Sequence, residues 1–247
     1  MWFIGLFLLV AWYLFTIRSP FSLRPNMEQI NALFVVHLND GSYRVVLDTG
    51  SVYTILDRPS TVPSSASLTT IEYGSQQSLV HFAPMSLQID GTKSIHTYPV
   101  GLAQPQPTHY NILGLGRGSS YDTFFIDFPR RQFKLMHRMA PTLPWVQPAH
   151  LPTHVYVLPA TVHIPHSRIQ FIILDTGCNV TSIPSGEFIL FQSQASVSLS
   201  TYDQSFTFPI TSENIAGDSP FHDTIVVGSM WLQSKQLWVT PSGCHMM

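Results

Sequence analysis

At 247 residues with 12 Lys+Arg against 14 Asp+Glu, the chain carries a net charge of −2, so it lacks the basic surplus of a nucleic-acid binder. It is long enough for one large or two modest domains, and its charged fraction of 11% is under half the roughly 25% usual in soluble domains. Two cysteines, Cys178 and Cys244, exclude a disulfide framework and a CxxC zinc site but leave a single bridge open, and the scattered histidines give no metal pattern.

Along the chain, Trp2 to Ile17 carries no charge, a length at the short end of what spans a hydrocarbon core. No basic stretch precedes it and no small-residue cleavage site follows, so residues 1–17 read as a membrane anchor, with a signal peptide as the alternative. Arg18 and Arg24 come after it, which by the positive-inside rule holds the rest of the chain in the cytoplasm. A short tether, 18–30, leads to a first β region, 31–140. There "LFVVHLNDGSYRVVLDTG" reads as strand, Asn-Asp-Gly turn and strand ending in Asp48. Residues 141–159 hold five prolines and read as a connector, too proline-rich for a central strand. The second β region, 160–247, repeats the plan in "ATVHIPHSRIQFIILDTG", with the turn at Pro165-His166-Ser167 and the acid at Asp175. An apolar pair and a glycine follow each acid later on, in "NILGLG" and "TIVVGS", and no long stretch keeps helical spacing. The two acids stand 127 residues apart, and the parallel order of these features predicts an internal duplication.

A carboxylate at the end of an apolar strand is costly unless it is paired or hydrogen-bonded. One Asp-Thr-Gly triplet fits an ordinary turn; two, each after an apolar run, suggest that the acids work together. Two carboxyls in contact cannot both ionise, so they share a proton and titrate as a pair. One then takes a proton from water while the other donates to a carbonyl oxygen, the two roles that hydrolysis of a peptide bond needs at once. Gly50 and Gly177 allow close backbone approach and offer their N–H groups to the acids. Thr49 and Thr176 turn their hydroxyls toward the facing loop. Ser51 donates to the outer oxygen of Asp48 while Cys178, its counterpart, is a poorer donor, which makes Asp48 the candidate for the ionised partner.

Together "VVLDTGSVYTIL", "EYGS", "NILGLGRGSS", "FFIDFPRRQFKLM", "FIILDTGCNVTSIP" and "TIVVGSMWL" resemble the pepsin-like aspartic proteases over most of residues 31 to 240. The resemblance implies a mostly β, bilobal fold with two pseudo-twofold-related lobes, each supplying one catalytic aspartate, Asp48 and Asp175. It also implies a flap hairpin carrying Tyr73 and Gly74, an apolar subsite at Ile112, an extended polypeptide as substrate, no cofactor, and a monomer holding both lobes. Relatives of this kind act mostly in lumenal or extracytoplasmic spaces, which opposes the arginine signal. Departures are the short interval from Asp48 to Tyr73, Ser229 where an aspartate is usual, and an early end at "LWVTPSGCHMM". They keep a second reading open, an inactive relative that presents its cleft to a protein partner. A third, a structural membrane protein, leaves the paired acids without a role.

Overall fold

The computed structural model describes residues 33–38, 41–57, 68–73, 76–87, 96–103, 111–119, 121, 123–135 and 141–247. The expected anchor and tether lie outside them. The described chain is mostly β, and no helix within it is long and apolar enough to cross a membrane.

Seven strands form the first sheet: β1 (Leu33–Leu38), β2 (Gly41–Asp48), β3 (Thr54–Asp57), β4 (Thr69–Tyr73), β5 (Gln76–Leu87), β6 (His96–Ala103) and β7 (Asn111–Gly114). Their order in space is β1-β2-β7-β3-β6-β5-β4. Val45, Val46 and Leu47 of β2 are all buried because neighbouring layers cover both faces of this strand, which is why its sequence is a continuous apolar run rather than an alternation.

After β8 (Phe124–Asp127), β9 (Gln132–Leu135) and β10 (Leu143–Pro144), the second half repeats the layout. Its strands are β11 (Tyr156–Pro159), β12 (Thr161–Val162), β13 (Phe171–Leu174), β14 (Thr181–Pro184), β15 (Ser196–Thr201), β16 (Gln204–Pro209), β17 (Ile215–Ser219) and β18 (Thr224–Val227). The order β11-β13-β18-β14-β17 matches β1-β2-β7-β3-β6 strand for strand. The directions match as well: antiparallel, parallel, antiparallel, parallel. The duplication expected from the repeated motifs is therefore a duplication of topology.

Two expectations need correction. Residues 156–159, assigned to the connector, form β11, and residues 143–144 form β10. Both strands lie at sheet edges, where the missing N–H of Pro159 and Pro144 breaks no ladder. The hairpin partner of β13 is β11 and not "ATVHI": the chain does turn at Ile164–Ser167, with His166 at φ 65°, but β12 leaves to pair with β15. A helix, α1 (Ser185–Gln192), also lies within the second β region, with Phe191 buried and Ile189 exposed.

A five-stranded sheet joins the halves, in the order β10-β20-β19-β8-β9, with β19 (Gln236–Thr240) and β20 (Gly243–Met246) supplied by the end of the chain. β19 pairs antiparallel with β8, Leu237 opposite Ile126 and Val239 opposite Phe124. These residues, with Leu143, Cys244 and Met246, bury one face in the main apolar core. "LWVTPSGCHMM" thus forms a hairpin beside β8–β9. Buried Asp127 ties the halves, accepting the Arg130 amide at 2.9 Å, the Arg130 guanidinium at 2.9 Å and the Gln236 side-chain amide at 2.7 Å. Cys178 and Cys244 are both free and buried, so the bridge that spacing left open is absent.

Candidate active site

β2 and β13 each run between a parallel and an antiparallel neighbour and deliver Asp48 and Asp175 at their C-terminal ends. The turns that follow are built alike. Ser51 N–H returns to the Asp48 carbonyl at 3.4 Å and Cys178 N–H to that of Asp175 at 3.2 Å. Gly116 N–H donates to the Ser51 carbonyl and Ser229 N–H to the Cys178 carbonyl, both at 2.7 Å. Thr54 Oγ1 accepts the Gly114 amide at 3.3 Å, as Thr181 Oγ1 accepts that of Gly228 at 3.1 Å. The signal for these two threonines was present in the sequence as a shared D-T-G-x-x-x-T pattern, "DTGSVYT" and "DTGCNVT", but only the glycine each one holds explains it.

The loops interlock through Thr49 and Thr176. Thr49 Oγ1 donates to the Leu174 carbonyl at 2.7 Å and accepts the Thr176 amide at 3.0 Å. Reciprocally, Thr176 Oγ1 donates to the Leu47 carbonyl and accepts the Thr49 amide at 3.1 Å. All four bonds are buried, so each hydroxyl closes a donor and an acceptor of the opposite half that would otherwise be unpaired.

Each glycine faces the other half's acid. A Cβ on Gly50 would fall 2.7 Å from Asp175 Oδ2, and one on Gly177 would collide with the Asp48 carboxyl. Their amides serve their own acids, Gly50 N–H to Asp48 Oδ1 at 2.8 Å and Gly177 N–H to Asp175 Oδ1 at 3.1 Å.

No family model and no curated protein matches the chain. What the site can do therefore rests on its own geometry.

Asp48 and Asp175 are 4% and 3% exposed, and their carboxyls hydrogen-bond each other. Burial is the main cause that raises both pKa values. The charge on Asp175 pushes Asp48 higher still, well above the carboxylate range, against the lowering effect of the Gly50 and Ser51 amides. Asp175 is pushed up to about 6, with the bond to Asp48 and the Gly177 and Cys178 amides opposing its burial. Both shifts run upward, so the pair holds a proton at higher pH than isolated carboxyls would. The Ser51 hydroxyl oxygen accepts the Tyr53 amide at 3.1 Å, and each acid receives two backbone amides. Beside the dyad, Cys178 Sγ donates to the Val180 carbonyl at 3.2 Å, and burial together with the aspartate charges pushes its thiol pKa up.

Of the expected substrate residues, Tyr73 ends β4 opposite Gln76, at the closing pair of the β4–β5 hairpin, and Gly74 lies outside the described residues. Ile112 sits 5% exposed in a small apolar cluster with Ile55, Ile71 and Val80, with Phe82 packed against it. It forms a floor under that hairpin rather than an open subsite. Sequence reasoning passed over Tyr53, partly exposed and tilted against Phe82 with ring centroids 5.2 Å apart, which extends the apolar surface next to the first acid's loop. Among the described residues no group of three or more His, Cys, Asp or Glu side chains could hold a metal.

Proposed function

We propose that the chain is an aspartic endopeptidase with a bilobal, pepsin-like arrangement, its N-terminal segment serving as a membrane anchor and its catalytic part lying on the extracytoplasmic or lumenal side. The observation that carries the reading is the dyad itself: two buried carboxyls in contact, from two halves that share a five-strand topology, both with raised pKa values. No purely structural use explains paying for two buried acids where a Ser or Asn pair would satisfy the same amides.

The chemistry follows from that proton. The ionised carboxylate takes a proton from water, whose oxygen attacks the peptide carbonyl carbon, while the protonated acid gives its proton to the carbonyl oxygen. The tetrahedral intermediate collapses when the protonated acid gives its proton to the amide nitrogen and the C–N bond breaks, while the other carboxylate takes the proton of one hydroxyl of the gem-diol, so the pair ends with one proton. The threonine exchange fixes the acids' spacing, and Gly50 and Gly177 leave the carboxyls room. In this reading the β4–β5 hairpin, with Tyr73 at its closing pair, covers an extended substrate gripped along its backbone.

The test is cleavage of a mixed peptide library by the purified full chain, read by mass spectrometry between pH 4 and 7. Wild type should cleave and be blocked by a statine-type transition-state analogue; Asp48→Asn and Asp175→Asn should each abolish cleavage. Analogue binding without turnover would favour the inactive binding module, and full activity in either Asn variant would sink the dyad.

A further inference from the structure

A cleft of about 490 Å³ opens in the second half, lined in part by His166, Arg168, Glu187, Leu190, Pro220 and His222. Strand direction places it away from the dyad. β13 and β18 run parallel from the cleft end toward Asp175 and Gly228, while β14 and β17 run back toward the cleft. The four residues of β13, at about 3.3 Å each, lie between the two ends.

Glu187, in the first turn of α1, is 5% exposed. Its Oε1 accepts the Arg168 backbone amide at 3.0 Å, but its Oε2, sealed from bulk water, has no hydrogen-bond partner. The other buried carboxylates among the described residues differ in this respect. Asp48 and Asp175 have loop amides and each other, Asp127 has Arg130 and Gln236, and Asp223 has Thr224 and His150. A buried carboxylate oxygen without a donor costs more than a made bond returns, so a donor that arrives with a ligand recovers that cost.

We propose that this cleft is a docking site for the basic side chain, arginine or lysine, of a polypeptide partner, with rotation of the Glu187 carboxyl group bringing Oε2 to its N–H. A charged donor is the strongest match for a buried carboxylate. Leu190, Pro184 and Pro220 supply apolar surface for the aliphatic stem, and the rings of His166 and His222 supply flat faces for a guanidinium. Arg168, exposed at the rim, is the one charge that opposes the ligand. The site goes beyond the proposed peptidase chemistry and does not depend on it.

The experiment is a titration of the full chain with Nα-acetyl-arginine amide, followed by NMR at the Gly186 amide and the His222 ring. Nα-acetyl-citrulline amide, equal in shape and uncharged, and inorganic phosphate serve as controls. The arginine probe should give saturable shifts, the citrulline probe should bind about tenfold more weakly, and Glu187→Gln should lower the arginine affinity by about tenfold. Arg168→Ala, which keeps the backbone amide that holds Oε1, should tighten binding several-fold, and it carries the test if Glu187→Gln fails to fold. Saturation by phosphate instead of arginine, equal binding of the two amides, or weaker binding in Arg168→Ala would each overturn the proposal. Loss of peptidase activity in the dyad variants leaves these shifts unchanged, so failure of one reading is separable from failure of the other.

Discussion

Replacing Asp175 by Asn removes an ionisable group while keeping its shape, and the structure fixes both consequences. The amide oxygen can still accept the Gly177 and Cys178 N–H groups, and the amide NH₂ replaces the carboxyl–carboxyl bond to Asp48. Catalysis needs two titrating groups, so activity should vanish. Stability should move the other way. In the wild type the folded pKa of Asp175 is about 6 against 3.8 for the ordinary side chain. The fold therefore holds a proton that the unfolded chain releases, so the stability tied to it is fully present below about pH 4 and is lost as pH rises through 6. At about 1.4 kcal/mol per pH unit, that loss is about 3 kcal/mol by neutral pH. Asp175→Asn should thus gain about 3 kcal/mol on the wild type between pH 4 and 7. Urea unfolding followed by tryptophan fluorescence at half-unit pH steps measures this difference. Stability curves that stay parallel over this range would refute the claim that burial and contact raise the pair.

Thr49→Val should cost about 2–4 kcal/mol in urea unfolding, because it strands the Leu174 carbonyl and the Thr176 amide in a dry interface, and should reduce cleavage of a reporter peptide. Gly50→Ala should abolish cleavage at unchanged secondary structure by circular dichroism, since its Cβ meets the Asp175 carboxyl. Cys178→Ser should keep activity and fall within about 1 kcal/mol of wild type, the hydroxyl taking over the bond to Val180. Both thiols should resist a thiol-reactive dye at pH 8 in the native protein and react in urea, because burial raises their pKa values. Asp127→Ala should lower stability by about 1–3 kcal/mol above pH 4, with the loss fading as acid protonates the wild-type carboxyl.

The parts of the fold that could be read from sequence were those that recur. Two apolar runs ending in Asp-Thr-Gly, each followed later by an apolar pair and glycine, identified β2, β7, β13 and β18, the strands that carry the acids. Hidden parts had signals that local pattern cannot resolve. "SGEFILFQ" packs four apolar residues in a row, a run too short for periodicity to tell helix from strand, and it forms α1, where Phe191 and Ile189 point to opposite environments. Proline led to the wrong inference at β10 and β11 because its penalty depends on whether a strand is central or at an edge, and edges are set by pairing across the whole sheet. The tie through Asp127 and Gln236 crosses 109 residues, and nothing near either residue announces it.

The dyad belongs to the interface and to neither half alone. Each threonine spends its hydroxyl on a carbonyl and an amide of the opposite loop, and each glycine makes room for the opposite acid. Separated, either half would leave those groups to water and hold a lone exposed aspartate with an ordinary pKa, unable to be acid and base at one pH. Burial and the shared proton arise together when the loops meet. The proton taken up on folding is thus a direct count of correctly joined interfaces, and a chain whose halves fold without docking would show secondary structure but no Asp175-dependent pH slope.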